Sequence, residues 1–141
     1  MDLESRQKLK KLLMDHESYK QFVYSDTTGH LTVGIGRNLT DRGISLNEAT
    51  YLLDEDITYF YTKLNQFLHF FKRLDENRQI ALVDMCFNLG MQGFLNFKHM
   101  ILALEAEDYE RAAQEMVNSK WADQVGNRAM TLAEIVRTGN I

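Results

Sequence analysis

Residues 21–36 read QFVYSDTTGHLTVGIG, two short runs rich in β-branched and aromatic residues split by Thr27-Thr28-Gly29-His30. Such side chains suit a pleated surface and a glycine-bearing break reverses the chain, so the stretch predicts a β-hairpin. No other segment of the 141 residues carries a comparable β signal. Upstream, Leu9, Leu12, Leu13 and His16 fall at i, i+3, i+4 and i+7, which predicts an amphipathic helix with Arg6, Lys8, Lys10 and Lys11 on its other face. Downstream, a loop over Asn38–Gly43 leads to Ser45-Leu46-Asn47-Glu48, whose serine three residues ahead of a glutamate is a capping box. Leu53, Ile57, Phe60, Leu64, Phe67, Leu68 and Phe71 then hold a helical period, predicting one unusually long helix.

Asp75 caps a predicted helix through IALVDMCFNLG that closes at Gly90 and is apolar on nearly all sides, as a buried central helix would be. Phe97, Met100, Ile101 and Leu104 predict a short helix, Asp108 opens another through Tyr109, Ala112, Ala113, Met116 and Val117, and Ala129, Leu132, Ala133 and Val136 predict a last one stopped at Gly139. The expected fold class is α+β and mostly helical, with a small β-hairpin lobe and a helical lobe joined by the long helix. A single domain over residues 1–141 is expected, the small lobe at about 18–45 and the helical lobe at about 66–141 plus the N-terminal helix. A hairpin cannot bury itself unaided, so a cleft beside it is the expected place for a ligand.

Composition narrows the partners. With 45% hydrophobic and 26% charged residues the chain is globular, and no apolar run approaches the roughly 20 residues of a membrane span, so no stable membrane insertion is expected. Sixteen Lys and Arg against 20 Asp and Glu give a net charge of -4, opposite to the balance of a nucleic-acid binder. The single cysteine, Cys86, allows no internal disulfide, and MDLESRQKLKKLL lacks the apolar core of a signal peptide, so folding in a reducing cytoplasm is expected. Proline is absent, which leaves glycines and caps to end the elements.

Glu17 lies at i+8 from Leu9, which places a carboxyl on the apolar stripe at the end of the first helix, where burial favours the protonated form. Asp26, nine residues on at the mouth of the hairpin, is a second carboxylate in a more polar setting. Two carboxyls in unlike environments suit acid–base work, although a glutamate at a helix end and an aspartate at a turn are also ordinary surface features. Thr32, on the far arm, is expected roughly opposite Asp26, so that the two oxygens hold one water.

Glu17, then Tyr24-Ser25-Asp26-Thr27-Thr28-Gly29, then Leu31-Thr32-Val33-Gly34-Ile35-Gly36, resembles the catalytic pattern of the phage-type lysozymes, the muramidases of glycoside hydrolase family twenty-four. The likeness continues through Phe87-Asn88-Leu89-Gly90, Ser119-Lys120-Trp121, Asn127-Arg128-Ala129 and Arg137-Thr138-Gly139, so it covers nearly the whole chain. It implies a lysozyme-like fold in which Glu17 donates a proton to the leaving glycosidic oxygen while Asp26 and Thr32 position the attacking water. The implied substrate is bacterial peptidoglycan, cut with inversion at the β-1,4 bond between N-acetylmuramic acid and N-acetylglucosamine, with carboxyls roughly 6.5–9.5 Å apart. It also implies that Arg128 pairs with Glu17 in the free enzyme, that Asn88 is a polar cleft residue, and that Arg37 stands where well-known members have a histidine. The last departure leaves the sugar subsites open. Endolysin-type action as a monomer in host-cell lysis, held in the host bacterial cytoplasm until a holin-like protein permeabilises the membrane, follows from the family alone.

No cofactor is expected. His16, His30, His69 and His99 are too scattered for a ligand pair, Asp54-Glu55-Asp56 lacks the spacing of a calcium loop, and Gly34-Ile35-Gly36 lacks the third glycine of a dinucleotide fingerprint, so no metal or nucleotide site is indicated. Cys86 reads as a buried thiol, the aromatic run from Tyr59 to Phe71 as core packing, and Trp121 as a core contact or a sugar platform. Two other functions stay open: a lytic transglycosylase on the same bond, and a non-catalytic domain that binds peptidoglycan.

Overall fold

A computed structural model describes residues 1–141, which divide into two compact units, Met1–Tyr51 and Leu52–Ile141. In the first unit, α1 (Leu3–Glu17) starts at Asp2, whose carboxylate accepts from the Ser5 N–H at 2.8 Å. Helix α1 is followed by a three-stranded antiparallel sheet, β1 (Lys20–Ser25), β2 (Leu31–Gly34) and β3 (Arg37–Asn38), in that spatial order. The expected hairpin is β1–β2. Strand β3, only two residues long, was not expected, because its pairing comes from a turn through Gly34 and Gly36, both at φ +68°, and not from any run of strand-forming residues. The N-terminal helix, which sequence reading attached to the helical lobe, clusters with this sheet. The unit's one buried residue is Thr32; Leu9, Leu12, Leu13 and Met14 of α1 all stay exposed.

Helix α2 (Leu46–Phe67) contains the unit boundary and opens on the expected capping box: Ser45 N–H donates to Glu48 Oε2 at 2.9 Å, and Glu48 N–H donates to Ser45 Oγ at 3.1 Å. It is shorter than its hydrophobic period suggested. The chain leaves it after Phe67 and makes a 3-10 turn at Phe71–Arg73, which buries Leu68, Phe70 and Phe71.

The second unit continues with α3 (Glu76–Leu95), α4 (Lys98–Glu105), α5 (Tyr109–Val117), α6 (Lys120–Val125) and α7 (Asn127–Thr138). Asp75 caps α3, Asp108 caps α5 and Gly139, at φ 75°, ends α7, all as expected; α6, capped by Ser119, is a six-residue helix too short to leave a period in the sequence. Gly90 breaks α3 instead of ending it, with φ 72° and ψ 164°, and helical backbone resumes to Leu95. Leu82, Met85 and Cys86 of α3 meet Met100 and Leu104 of α4, Met116 of α5 and Leu132 and Val136 of α7 in one core. Ala112, Ala113, Ala129 and Ala133 let α5 and α7 approach closely there. The expected all-round burial of α3 is corrected on one face, where Ile80 is 51% and Phe87 41% exposed. No single helix is long and apolar enough to cross a membrane.

Candidate active site

The β1–β2 turn is built around Asp26. Gly29 N–H donates to the Asp26 carbonyl at 3.1 Å, Asp26 N–H donates to the His30 carbonyl at 2.9 Å, and Gly29 takes φ +84°, a conformation that glycine adopts without steric cost. Within that turn Asp26 Oδ1 accepts three donors: Thr28 N–H at 2.9 Å, Thr28 Oγ1 at 2.8 Å and His30 N–H at 2.9 Å. The His30 N–H and then the Thr28 hydroxyl hold this carboxyl below the usual carboxylate range; partial burial opposes them, and the Thr28 N–H and the His30 ring reinforce them. Asp26 is thus an ionised carboxylate in which one oxygen is saturated by the turn and Oδ2 is not.

Thr32 does not lie opposite Asp26. The register pairs it with Tyr24, two residues earlier, because the turn closes at the pair Asp26–His30. The His30 carbonyl nonetheless connects the two side chains: it accepts the Asp26 N–H and also the Thr32 hydroxyl, at 3.1 Å. With its one proton spent there, the buried Thr32 oxygen keeps only acceptor capacity.

Glu17 is the last residue of α1, and its carboxyl rests on Gly36: a β-carbon at position 36 would lie 2.8 Å from Glu17 Cδ and Oε2. The two residues border an open hollow of about 490 Å³ with Leu13, Met14 and Ile35, and with Lys10, which the helical pattern had placed on the opposite face. The expected burial of Glu17 is corrected, since α1 buries no residue and the carboxyl is exposed. Ser18, directly after it, holds φ 61° and ψ 170°, a region that non-glycine residues rarely enter.

The remaining candidates are engaged elsewhere. Arg37 makes a two-pronged ion pair with Glu48, at 2.5 and 2.6 Å, and donates to the Gly43 carbonyl at 3.2 Å. The Arg37 guanidinium and then the Ser45 N–H lower the Glu48 carboxyl to about 2. In the second unit, Arg128 Nε donates to Asp84 Oδ1 at 2.8 Å and its Nη2 to the Asp84 carbonyl at 3.2 Å. The implied partnership of Arg128 with Glu17 links residues of different units; within its own unit Asp84 holds it. Asn88 Oδ1 accepts from the indole N–H of Trp121 at 2.8 Å, and Trp121 is buried edge-on to Phe97, which settles it as a core residue.

The family described as phage lysozyme matches residues 14–137, which include Glu17, the whole sheet and five of the seven α-helices in full. The chain belongs to the phage lysozyme family. It is 26% identical to "Probable T4-type lysozyme 1" of Dictyostelium discoideum over 94% of this chain and 95% of that protein. It is 27% identical to "Probable T4-type lysozyme 2" of the same organism, over 94% and 95%. It is also 27% identical to the "Pre-baseplate central spike protein Gp5" of Enterobacteria phage T4, over 92% of this chain but 28% of that protein. For a phage lysozyme, the mostly helical α+β fold with a small antiparallel sheet is the expected one, and the membership makes the chain a lysozyme-type hydrolase with peptidoglycan as its substrate class.

Two partner residues carry no motif of their own in the sequence: His30, beside Asp26 in the first unit, and Asp84, beside Arg128 in the second. His30 was dismissed with the other histidines, although its position four residues after Asp26, across a glycine turn, is the spacing that returns it to the aspartate. Asp84 is the one acid in the apolar run IALVDMCF, and that isolation was the available sign that it holds a partner.

Proposed function

We propose that this phage lysozyme hydrolyses the β-1,4 bond between N-acetylmuramic acid and N-acetylglucosamine with inversion. Glu17 acts as the proton donor, and Asp26 and Thr32 hold the attacking water. The observation that carries the reading is the division of labour at Asp26. Oδ1 is consumed by three donors in the turn, while Oδ2 and the proton-spent oxygen of Thr32 are acceptors only. A water that donates one hydrogen to each presents its lone pairs outward, as a nucleophile must. Glu17, exposed in the hollow beside Gly36, is open to a glycan and is the carboxyl that donates its proton to the leaving oxygen. Action as a monomer, and delivery from the host cytoplasm by a holin-like protein, belong to the same proposal and rest on the family.

Peptidoglycan incubated with purified protein and analysed by mass spectrometry gives reducing sugar ends under this reading. Anhydro ends would identify a lytic transglycosylase, and unchanged walls a binding domain. Inversion predicts the α anomer as the first product seen by NMR. Glu17→Gln is expected to lower turnover by roughly 10²–10⁴-fold, the range for a lost general acid; wild-type turnover in that variant would remove Glu17 from the mechanism.

A further inference from the structure

His30 lies between the Asp26 turn and Asp41, and its two ring nitrogens face different partners. The Thr28 hydroxyl has one proton and donates it to Asp26 Oδ1 at 2.8 Å. Its second contact, 2.6 Å from His30 Nδ1, must then be donated by the ring, so Nδ1 carries a proton. On the other side of the ring, Nε2 lies 3.3 Å from Asp41 Oδ2, a carboxylate that can only accept. The Thr28 hydrogen bond takes the proton on Nδ1, and an ion pair with Asp41 takes a second one on Nε2. Nδ1 is also 3.5 Å from Asp26 Oδ2, the oxygen left over by the turn.

Asp41 is itself held. Its Oδ2 accepts from Asn38 Nδ2 at 3.0 Å and its N–H donates to Asn38 Oδ1 at 2.9 Å, so the chain of contacts runs from the β1–β2 turn through His30 to β3. The charged groups within 4 Å of the ring nitrogens are Asp26, at the end of β1, and Asp41, after β3. The nearby cations turn elsewhere: Arg37 pairs with Glu48, and Arg42 reaches Glu48 at 4.0 Å. The ring therefore faces two carboxylates.

We propose that His30, doubly protonated and gripped by Asp41, is the positioning residue of Asp26, orienting Oδ2 toward the attacking water. The inference rests on the proposed role of Asp26. When one ring proton is removed, the set of contacts is no longer complete. Either the Thr28 link or the Asp41 link then goes, and the aspartate is less firmly held. The cost is about one hydrogen bond of positioning, roughly a threefold to tenfold fall in kcat with KM little changed.

The test combines peptidoglycan hydrolysis between pH 5 and 8 with 15N NMR of the His30 ring in the full chain. In wild type, kcat is expected to fall along the same titration that the ring nitrogens report, with both nitrogens protonated at pH 5. His30→Gln, which keeps a donor but does not titrate, should lose that component of the profile and start roughly threefold to tenfold lower at pH 5. Asp41→Asn, which keeps the shape but loses the charge facing Nε2, should lower kcat at pH 5 by a similar factor. A His30→Gln profile that superimposes on wild type, or a ring that carries a single proton at pH 5, overturns the proposal. Asp26→Asn separates the two levels: if it is inactive while His30→Gln matches wild type, only the role of His30 fails, and if it is fully active, the role of Asp26 fails and that of His30 with it.

Discussion

Gly36→Ala and Gly34→Ala form a matched pair. Both glycines hold φ +68°, so alanine meets the same backbone strain at each, about 1–2 kcal/mol, offset by about 0.4–1 kcal/mol from the lower entropy of the unfolded chain. The net loss of stability is expected near 1 kcal/mol in both. Only one of them touches the candidate acid. A β-carbon at position 34 meets nothing within 4 Å, whereas at position 36 it lies 2.8 Å from Glu17 Cδ and Oε2. To reach ordinary contact at 3.4 Å the carboxyl must retreat by about 0.6 Å. It is the free end of an exposed side chain, so it moves at little cost in stability. Catalysis is less forgiving: a displacement of about 1 Å costs about 10²-fold, so this one predicts a loss of roughly tenfold to a hundredfold in Gly36→Ala and almost none in Gly34→Ala. Urea unfolding measures the first quantity, and release of reducing sugars from peptidoglycan, per folded molecule, the second. Equal activity in the two variants would refute the placement of Glu17 over Gly36 as functional, and a Gly36→Ala protein far less stable than its partner would show that the glycine serves folding.

Ser18→Gly should stabilise the protein by roughly 0.5–2 kcal/mol, because the strain of about 1–3 kcal/mol at φ 61° outweighs the entropy of an added glycine; unchanged or lower stability in urea contradicts the strain. The folded carboxyls of Glu48, lowered to about 2, and of Asp26 bind protons less readily than in the unfolded chain. Their contribution is present above the ordinary carboxylate range near 4.5 and is lost as pH falls toward about 2, so urea midpoints should drop across that window, and less steeply in Glu48→Gln. Burial pushes the Cys86 thiol up to about 12, which predicts no alkylation by iodoacetamide at pH 8 until the chain unfolds; rapid labelling of folded protein would place the thiol outside the core. A net charge of -4 gives no global attraction to an anionic wall, so activity should depend less on salt than in a basic relative, and a steep loss with modest salt would contradict this.

Much of the site was legible because it is local. A carboxylate two residues before a Thr-Gly pair folds back on its own backbone, so Asp26 could be placed in a tight turn from residues 24–32 alone. Ser45 and Glu48 meet across one helical turn, and Asp75 and Asp108 cap the next N–H groups of their own helices; all of these satisfy donors within three residues. The breaks were readable for the same reason, since Gly29 and Gly139 sit where only a positive φ ends the element.

What the tertiary structure decided depends on partners far along the chain. Strand β3 exists because Gly34 and Gly36 turn two residues back onto β2, and Arg37 finds Glu48 eleven positions away, a pairing to which no periodicity refers. Only the end of the period that seemed to carry α2 to Phe71 records burial and not helicity, since Leu68 and Phe71 lie beyond the helix and are buried around a 3-10 turn. Glu17 lay on an apolar stripe by its spacing, yet a stripe specifies only which side chains align, not whether anything covers them, and here its carboxyl is exposed over Gly36. His30 became a candidate only when Thr28 and Asp41 were seen to flank its two nitrogens. The sequence by itself determined which groups can donate and accept, and where the backbone must turn; the fold decided which of them meet, because hydrogen bonds and ion pairs depend on distances that no spacing along the chain specifies.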